Sequence, residues 1–343
     1  MIKRILNVCF LILFSVNVYA NIGSRPFHST GWIGNDFTLN PAYELEGDSI
    51  NVILESGIAK LEYKGTREYD MKQSGLAVTG SSKLEDGIIG YKFSNEISEA
   101  ESNVLDKASG FQDKQKTTRT NYGVGYLHIT DQLHYFGAFD RISNKYERTY
   151  SLKSSYYWTS TGTSTKSGST IVDINRFRLG ALYKSSKEVS FGGILTPATG
   201  NKGEVDDPES EVYYGNGNQL RGGFGYNTEK LSIGVDIVNE TENKDYLVRA
   251  SNELLLDAYF LLQPDISIKG FFGQIQSNEL TKDGVTYPSS NETDIGAGIR
   301  FAKDEMIFGA DLYQGTISYD GKEEGDRESG TVSLVRLAAT FKF

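Results

Sequence analysis

From about residue 49 onward the chain alternates apolar and polar residues with a period of two. In "VRLAATFKF" (Val335 to Phe343), Val335, Leu337, Ala339, Phe341 and Phe343 share one face, and Arg336, Ala338, Thr340 and Lys342 share the other. Side chains alternate faces along a strand, so the segment has one oily side and one wet side. The pattern recurs. Phe177, Leu179, Ala181 and Tyr183 oppose Arg176 and Arg178, and Leu254, Leu256, Ala258 and Phe260 form a second such set. Ile295, Ala297, Ile299 and Phe301 form a third, and Met306, Phe308, Ala310 and Leu312 a fourth. The alternation predicts strands near 49–62, 72–82, 87–97, 120–130, 133–147, 171–184, 188–196, 217–227, 230–241, 252–262, 266–277, 291–302, 306–318 and 331–343. Short turns, among them "NTEK" (Asn227 to Lys230) and "KDE" (Lys303 to Glu305), alternate with long polar loops such as 148–170 and 197–216. Tight turns at one end and long loops at the other mark a transmembrane antiparallel β-barrel.

That architecture fixes the expected fold class. It is all-β, a barrel of most plausibly fourteen strands over residues 49–343, with twelve or sixteen as alternatives. Tyr183, Tyr226, Phe260, Phe301, Phe341 and Phe343 all fall within a few residues of a short turn or the terminus. This is the spacing of an interfacial aromatic girdle. A soluble sandwich has shorter strands and no use for a girdle. Phe341 and Phe343 also form the kind of terminal signal that the barrel-assembly machinery reads in outer-membrane proteins generally. One stretch departs from the pattern. "ISEAESNVLDKASG" places Ser98 three residues before Glu101, a capping-box spacing that predicts a short helix after the third strand.

Composition agrees with export. Lys3 and Arg4, the apolar run Ile5 to Val16 and the small residues near Ala20 read as a signal peptide over residues 1–20. Cys9 is the sole cysteine and lies inside that leader, so the mature chain carries no disulfide. Removing the leader moves the formal charge from -10 to -12, which excludes nucleic acid as a partner. The mean hydropathy of -0.38 is compatible with a membrane barrel, whose alternate residues average out.

Candidate chemistry is sparse. His28, His128 and His134 are followed two positions on by Thr30, Thr130 and Phe136 rather than the serine of a phospholipase-type barrel, which argues against an enzyme. The histidines have no zinc spacing, and the acid-rich runs Glu204 to Glu211 and Asp320 to Ser329 match no calcium loop, so neither a metal nor a cofactor is expected. Arg178, Arg221, Asp236, Asp257, Asp311 and Arg336 all fall on the inner register, roughly six residues from a short turn or the terminus. If "NTEK" is a tight hairpin with Asn227 opposite Lys230, Arg221 lies directly opposite Asp236. The belt reads equally as the filter of a water-filled pore or as a structural ion-pair network behind a plug.

Residues 21–48 are too many for a simple lead-in and contain "LNPAYEL" (Leu39 to Leu45). Asn40, Pro41 and Ala42 resemble the Asn-Pro-Ala stretch in the N-terminal plug of the FadL family of outer-membrane hydrophobic-compound transporters. The resemblance covers this motif, the strand count and the terminal Phe. It implies that residues 21–48 plug the lumen and that apolar small molecules are taken up passively. In that family the ligand leaves sideways through the wall beside a kinked strand, and no such kink is visible in this sequence. The alternatives are a porin for hydrophilic solutes and a structural or adhesive barrel acting through its Ser/Thr-rich loop. Expected partners are outer-membrane lipid, lipopolysaccharide, the assembly machinery and a small, preferably hydrophobic, solute.

Overall fold

The computed structural model describes residues 48–63, 67–104, 112–155, 161–197, 202–205, 217–243, 247–281, 289–320 and 327–342. The leader, the proposed plug with Asn40, Pro41 and Ala42, and Phe343 lie outside these residues. The strands are β1 (Ser49–Tyr63), β2 (Arg67–Lys83), β3 (Gly87–Val104), β4 (Gln112–Ile129), β5 (Leu133–Ser155), β6 (Thr161–Lys184), β7 (Val189–Thr196) and β8 (Lys202–Val205). They continue as β9 (Gly217–Asn227), β10 (Leu231–Asn243), β11 (Leu247–Gln263), β12 (Ile266–Thr281), β13 (Ser289–Lys303), β14 (Met306–Asp320) and β15 (Arg327–Lys342). Each pairs antiparallel with its neighbours, and β15 closes on β1 from Ser49↔Lys342 to Tyr63↔Glu328. Because β7 and β8 both pair with β6, they form one stave, and the barrel has fourteen.

Alternation dictates which side faces out. Leu312, Ile237 and Leu179 are 64%, 62% and 58% exposed, while their inward neighbours Asp311, Asp236 and Arg178 are buried. An apolar band of this extent is stable only against lipid. Near the short turns it ends in exposed Tyr126, Tyr135, Tyr183, Tyr226, Phe260 and Phe301. Phe341 also lies on the outward register, opposite Ile50 and Met306.

Two short turns share one device. The Thr130 and Thr228 hydroxyls accept the backbone N–H of Leu133 and Leu231, each at 3.0 Å. A threonine that bonds the residue three positions on holds the chain in a turn. The second of these corrects the expected register. Thr228 and Leu231 flank the bend at Glu229 and Lys230, so Asn227 pairs with Ser232 rather than with Lys230. Arg221 therefore lies opposite Val238, and Asp236 opposite Gly223.

The helix expected over 97–110 does not form in its described part, which ends at Val104, and the remainder lies outside the described residues. Ser98 and Glu101 lie within β3, paired on one side with Gln73 and Asp70 and on the other with Thr117 and Lys114. Ladder bonds on both edges outweigh a capping box of a few residues. The loops are also shorter than the sequence suggested. The Ser/Thr-rich stretch expected to be loop over 148–170 is largely strand, because β5 and β6 stay paired up to Ser155↔Thr161.

The seventh stave is described in two pieces. β7 pairs with β6 from Lys184↔Ser190 to Leu179↔Leu195, and β8 resumes at Asp173↔Lys202. Between these two pairings β6 runs through five residues, Ile174 to Arg178, and the other strand's numbering through six, so the two registers differ by one. Pro197 stands at the break and has no N–H to give to a ladder. A difference of one residue is the count that a β-bulge leaves in a ladder. Of the segment expected to be loop from 197, Lys202–Val205 instead continues the wall, in a register shifted by one residue from that of β7.

Candidate functional site

The belt of charge encircles the lumen and is paired almost throughout. Arg221 Nε donates to Asp236 Oδ2 at 3.1 Å, reaching diagonally across the β9–β10 pair. Lys269 Nζ lies 2.7 Å from Asp311 Oδ2, and the Arg336 guanidinium pairs with Glu55 across the β1–β15 seam. Arg300 Nη1 and Ser267 Oγ both donate to the Tyr259 hydroxyl at 2.9 Å. On the other side Asp140 holds two cations, with Arg176 Nε at 3.2 Å and Arg178 Nη2 at 3.0 Å. Asp257 is inward and half-buried on β11, between Gly234 and Phe271. Of the residues singled out from the sequence, Arg178, Arg221, Asp236, Asp311 and Arg336 are all nearly fully buried.

Arg221 and Asp236 are partners, as expected from the sequence, whereas the partners of Arg178, Asp311 and Arg336 were missed. Glu55, Asp140 and Lys269 sit on strands with visible alternation, and "YFGAFDR" places Asp140 opposite Tyr135 and Phe139 in facing. A second signal lay in the glycines. Asp140 stands directly across from Gly123, Asp236 from Gly223, Asp257 from Gly234, and Asp311 from Gly298. A Cβ at Gly123 or Gly298 would collide with the carboxylate oxygen of Asp140 or Asp311. At these two glycines the missing side chain lets the carboxylate lie down along the wall.

On the turn side of the belt the lumen face of β3–β7 is apolar. Ile88, Leu127, Phe136, Ala138, Leu182 and Ile194 form one buried cluster. Ile194 is near the end of β7, and Arg176 and Arg178 belong to the stretch of β6 between its described pairings with β7 and with β8. Three features thus meet at one place: an apolar floor, the one-residue register difference between β7 and β8, and the Asp140–Arg176–Arg178 cluster on the inner side of the wall. Arg176 Nη2 is buried there without a hydrogen-bond acceptor. The described residues contain no cluster able to hold a metal ion. His128 faces outward, 3.6 Å from Asp86 and stacked on Tyr135, while His134 faces the lumen.

A closed barrel with a lipid-facing band, an aromatic girdle and a lumen of paired charge defines an outer-membrane β-barrel. No protein-family model matches the sequence, and no curated protein is detectably similar to it. Solved structures share its fold. A mutant of the TodX monoaromatic hydrocarbon channel lacking S2 and S3 aligns with a TM-score of 0.61 at 11% identity, covering 89% of this chain and 93% of that one. The toluene transporter TodX of Pseudomonas putida aligns at 0.57 with 10% identity, covering 88% and 92%. A Pseudomonas aeruginosa FadL homologue aligns at 0.56 with 11% identity, covering 88% and 91%. The fold is that of the FadL-like barrels.

Proposed function

We propose that this protein is a passive channel for apolar small molecules, entered from the long-loop side and left through the wall at the β6–β7 kink. The observation that carries this reading is the one-residue register difference between β7 and β8, which follows Pro197 and which we read as a kink, placed beside the apolar floor. A solute too oily to cross the periplasm freely gains by leaving sideways into lipid, and a bulged, underbonded stave is where a barrel wall opens at least cost. The belt supports the same reading. Its charges neutralise one another and are buried, so they make a poor filter for ions and a rigid frame for a narrow lumen. Residues 21–48, with Asn40, Pro41 and Ala42, are proposed as the plug on the strength of the sequence motif.

A porin reading draws on one observation, the near-complete circle of inward charge. Planar-bilayer conductance separates the two. The full-length protein is expected to conduct ions poorly, and deletion of Asn21 to Glu46 to open a steady pore while weakening saturable toluene uptake. High conductance from the intact protein, unchanged by the deletion, would favour the porin. Arg178→Ala and Arg336→Ala would then shift ion preference towards cations.

A further inference from the structure

The outward face above the apolar band is not uniform around the barrel. On β10–β15 it carries Asn239, Asn252, Gln276, Thr293, Thr316 and Thr331, and every outward side chain described there at that height is uncharged. On β1–β5 the same height carries two cross-strand rows of charge. In the upper row Lys60 faces Asp70, Asp70 faces Glu101, and Glu101 faces Lys114. In the lower row Lys72 faces Glu99, Glu99 faces Lys116, and Lys116 faces Glu147. These rows line a concavity of about 850 Å³, within the range of small-molecule sites.

Solubility does not account for this sector, since uncharged polar residues serve at the same height on the other side. Nor does stability, because exposed ion pairs add little and Asp70 opposite Glu101 sets like charges together. A ligand that needs both signs accounts for it better. We infer that this concavity binds the phosphorylated sugar headgroup of an outer-leaflet glycolipid. The inference rests on the barrel spanning the outer membrane with its long loops outside. Lys60, Lys72, Lys114 and Lys116 supply cations for phosphates, and the four carboxylates accept hydrogen bonds from sugar hydroxyls.

The surroundings fit an amphiphile. Lys114 Nζ lies 2.7 Å from Glu101 and Lys116 Nζ 2.9 Å from Glu99, so the lysines are held upright on the strand surface. Below them comes the row Ser56, Ser74, Ile97 and Thr118, then Leu54, Leu76, Asn95 and Thr120, and then Val52, Val78, Phe93 and Tyr122 of the lipid-facing band. A headgroup seated on the charged rows would lay its acyl chains down this band.

Native mass spectrometry of the full-length refolded barrel tests the inference, with bisphosphorylated lipid A and its dephosphorylated form as probes. The phosphorylated lipid is expected to bind at least about ten-fold tighter, and the Lys114→Gln/Lys116→Gln double variant to lose that preference. Asn252→Ala, on the uncharged sector, should keep it. Equal binding of the two lipids by the unaltered protein would overturn the inference, as would an unchanged preference in a folded double variant. Displacement of lipid A by millimolar inorganic phosphate would also overturn it, since the site would then serve a free anion. If the double variant does not fold, the two lipids on the unaltered protein and on Lys116→Arg decide the matter. Toluene uptake is expected to be the same in all of these variants, so failure here leaves the channel reading standing.

Discussion

Asp311 of β14 lies directly opposite Gly298 of β13, and its carboxylate occupies the space that a side chain at 298 would fill. The glycine allows Asp311 to reach Lys269, two strands away on β12, at 2.7 Å. Gly298→Ala should therefore act at a distance, lifting the carboxylate off the wall and breaking the Lys269 contact. The expected cost is about 1–3 kcal/mol, the usual range for overpacking. Urea titration of the heat-modifiable barrel measures it. A midpoint equal to that of the unaltered protein would show that Asp311 does not need the vacancy.

The seam pair Arg336 and Glu55 should be costly to halve and cheap to replace. Arg336→Ala strands a buried carboxylate and is expected to lose about 3–5 kcal/mol. Arg336→Met with Glu55→Leu removes both charges and should lie close to the unaltered protein. If the double variant is as unstable as the single one, the pair contributes more than mutual neutralisation.

Adjacent residues on β11 should respond in opposite ways. Leu256 is on the outward register and Asp257 on the inward one. Leu256→Arg sets a charge against acyl chains and should cost about 2–4 kcal/mol near the midplane. Asp257→Asn should leave the folded fraction nearly unchanged. The reverse order of damage would mean that the two faces are assigned the wrong way round.

The kink gives a prediction for transport. Pro197→Val restores a backbone N–H where the β6 ladder is interrupted, and should straighten the seventh stave. Uptake of toluene is expected to fall several-fold while heat-modifiability is kept. Undiminished uptake in a folded Pro197→Val barrel would place the exit elsewhere.

What could be read from the sequence was whatever depends on period two. The apolar faces of 171–184, 252–262, 291–302 and 306–318 needed only the pleat, and the stave count followed from the turns. Register was harder, because it depends on which turn residue closes the hairpin. Thr228 moved the β9–β10 pairing by two places, and Arg221 still reached Asp236 because an arginine is long enough to bond on the diagonal. The kink was hidden by its composition. Pro197 and the polar residues after it read as loop, and only the pairing of Lys202–Val205 with β6 shows the wall resuming. The Ser98–Glu101 stretch failed differently. Its local spacing suits a helix, but Glu99 and Glu101 each meet a lysine on β4, a contact that no local rule contains.

The pairing of β1 with β15 also bears on how the molecule comes to exist. Ser49 and Lys342 are register partners with nearly the whole chain between them. No clasp can form between those strands until the last of them has been delivered. Until then β1 has an open edge, and the Glu55 carboxylate lacks its Arg336 partner. A chain cut short during export would keep that raw edge and remain food for periplasmic proteases. The closing strand thus works as a receipt, issued only when delivery of the whole chain is complete.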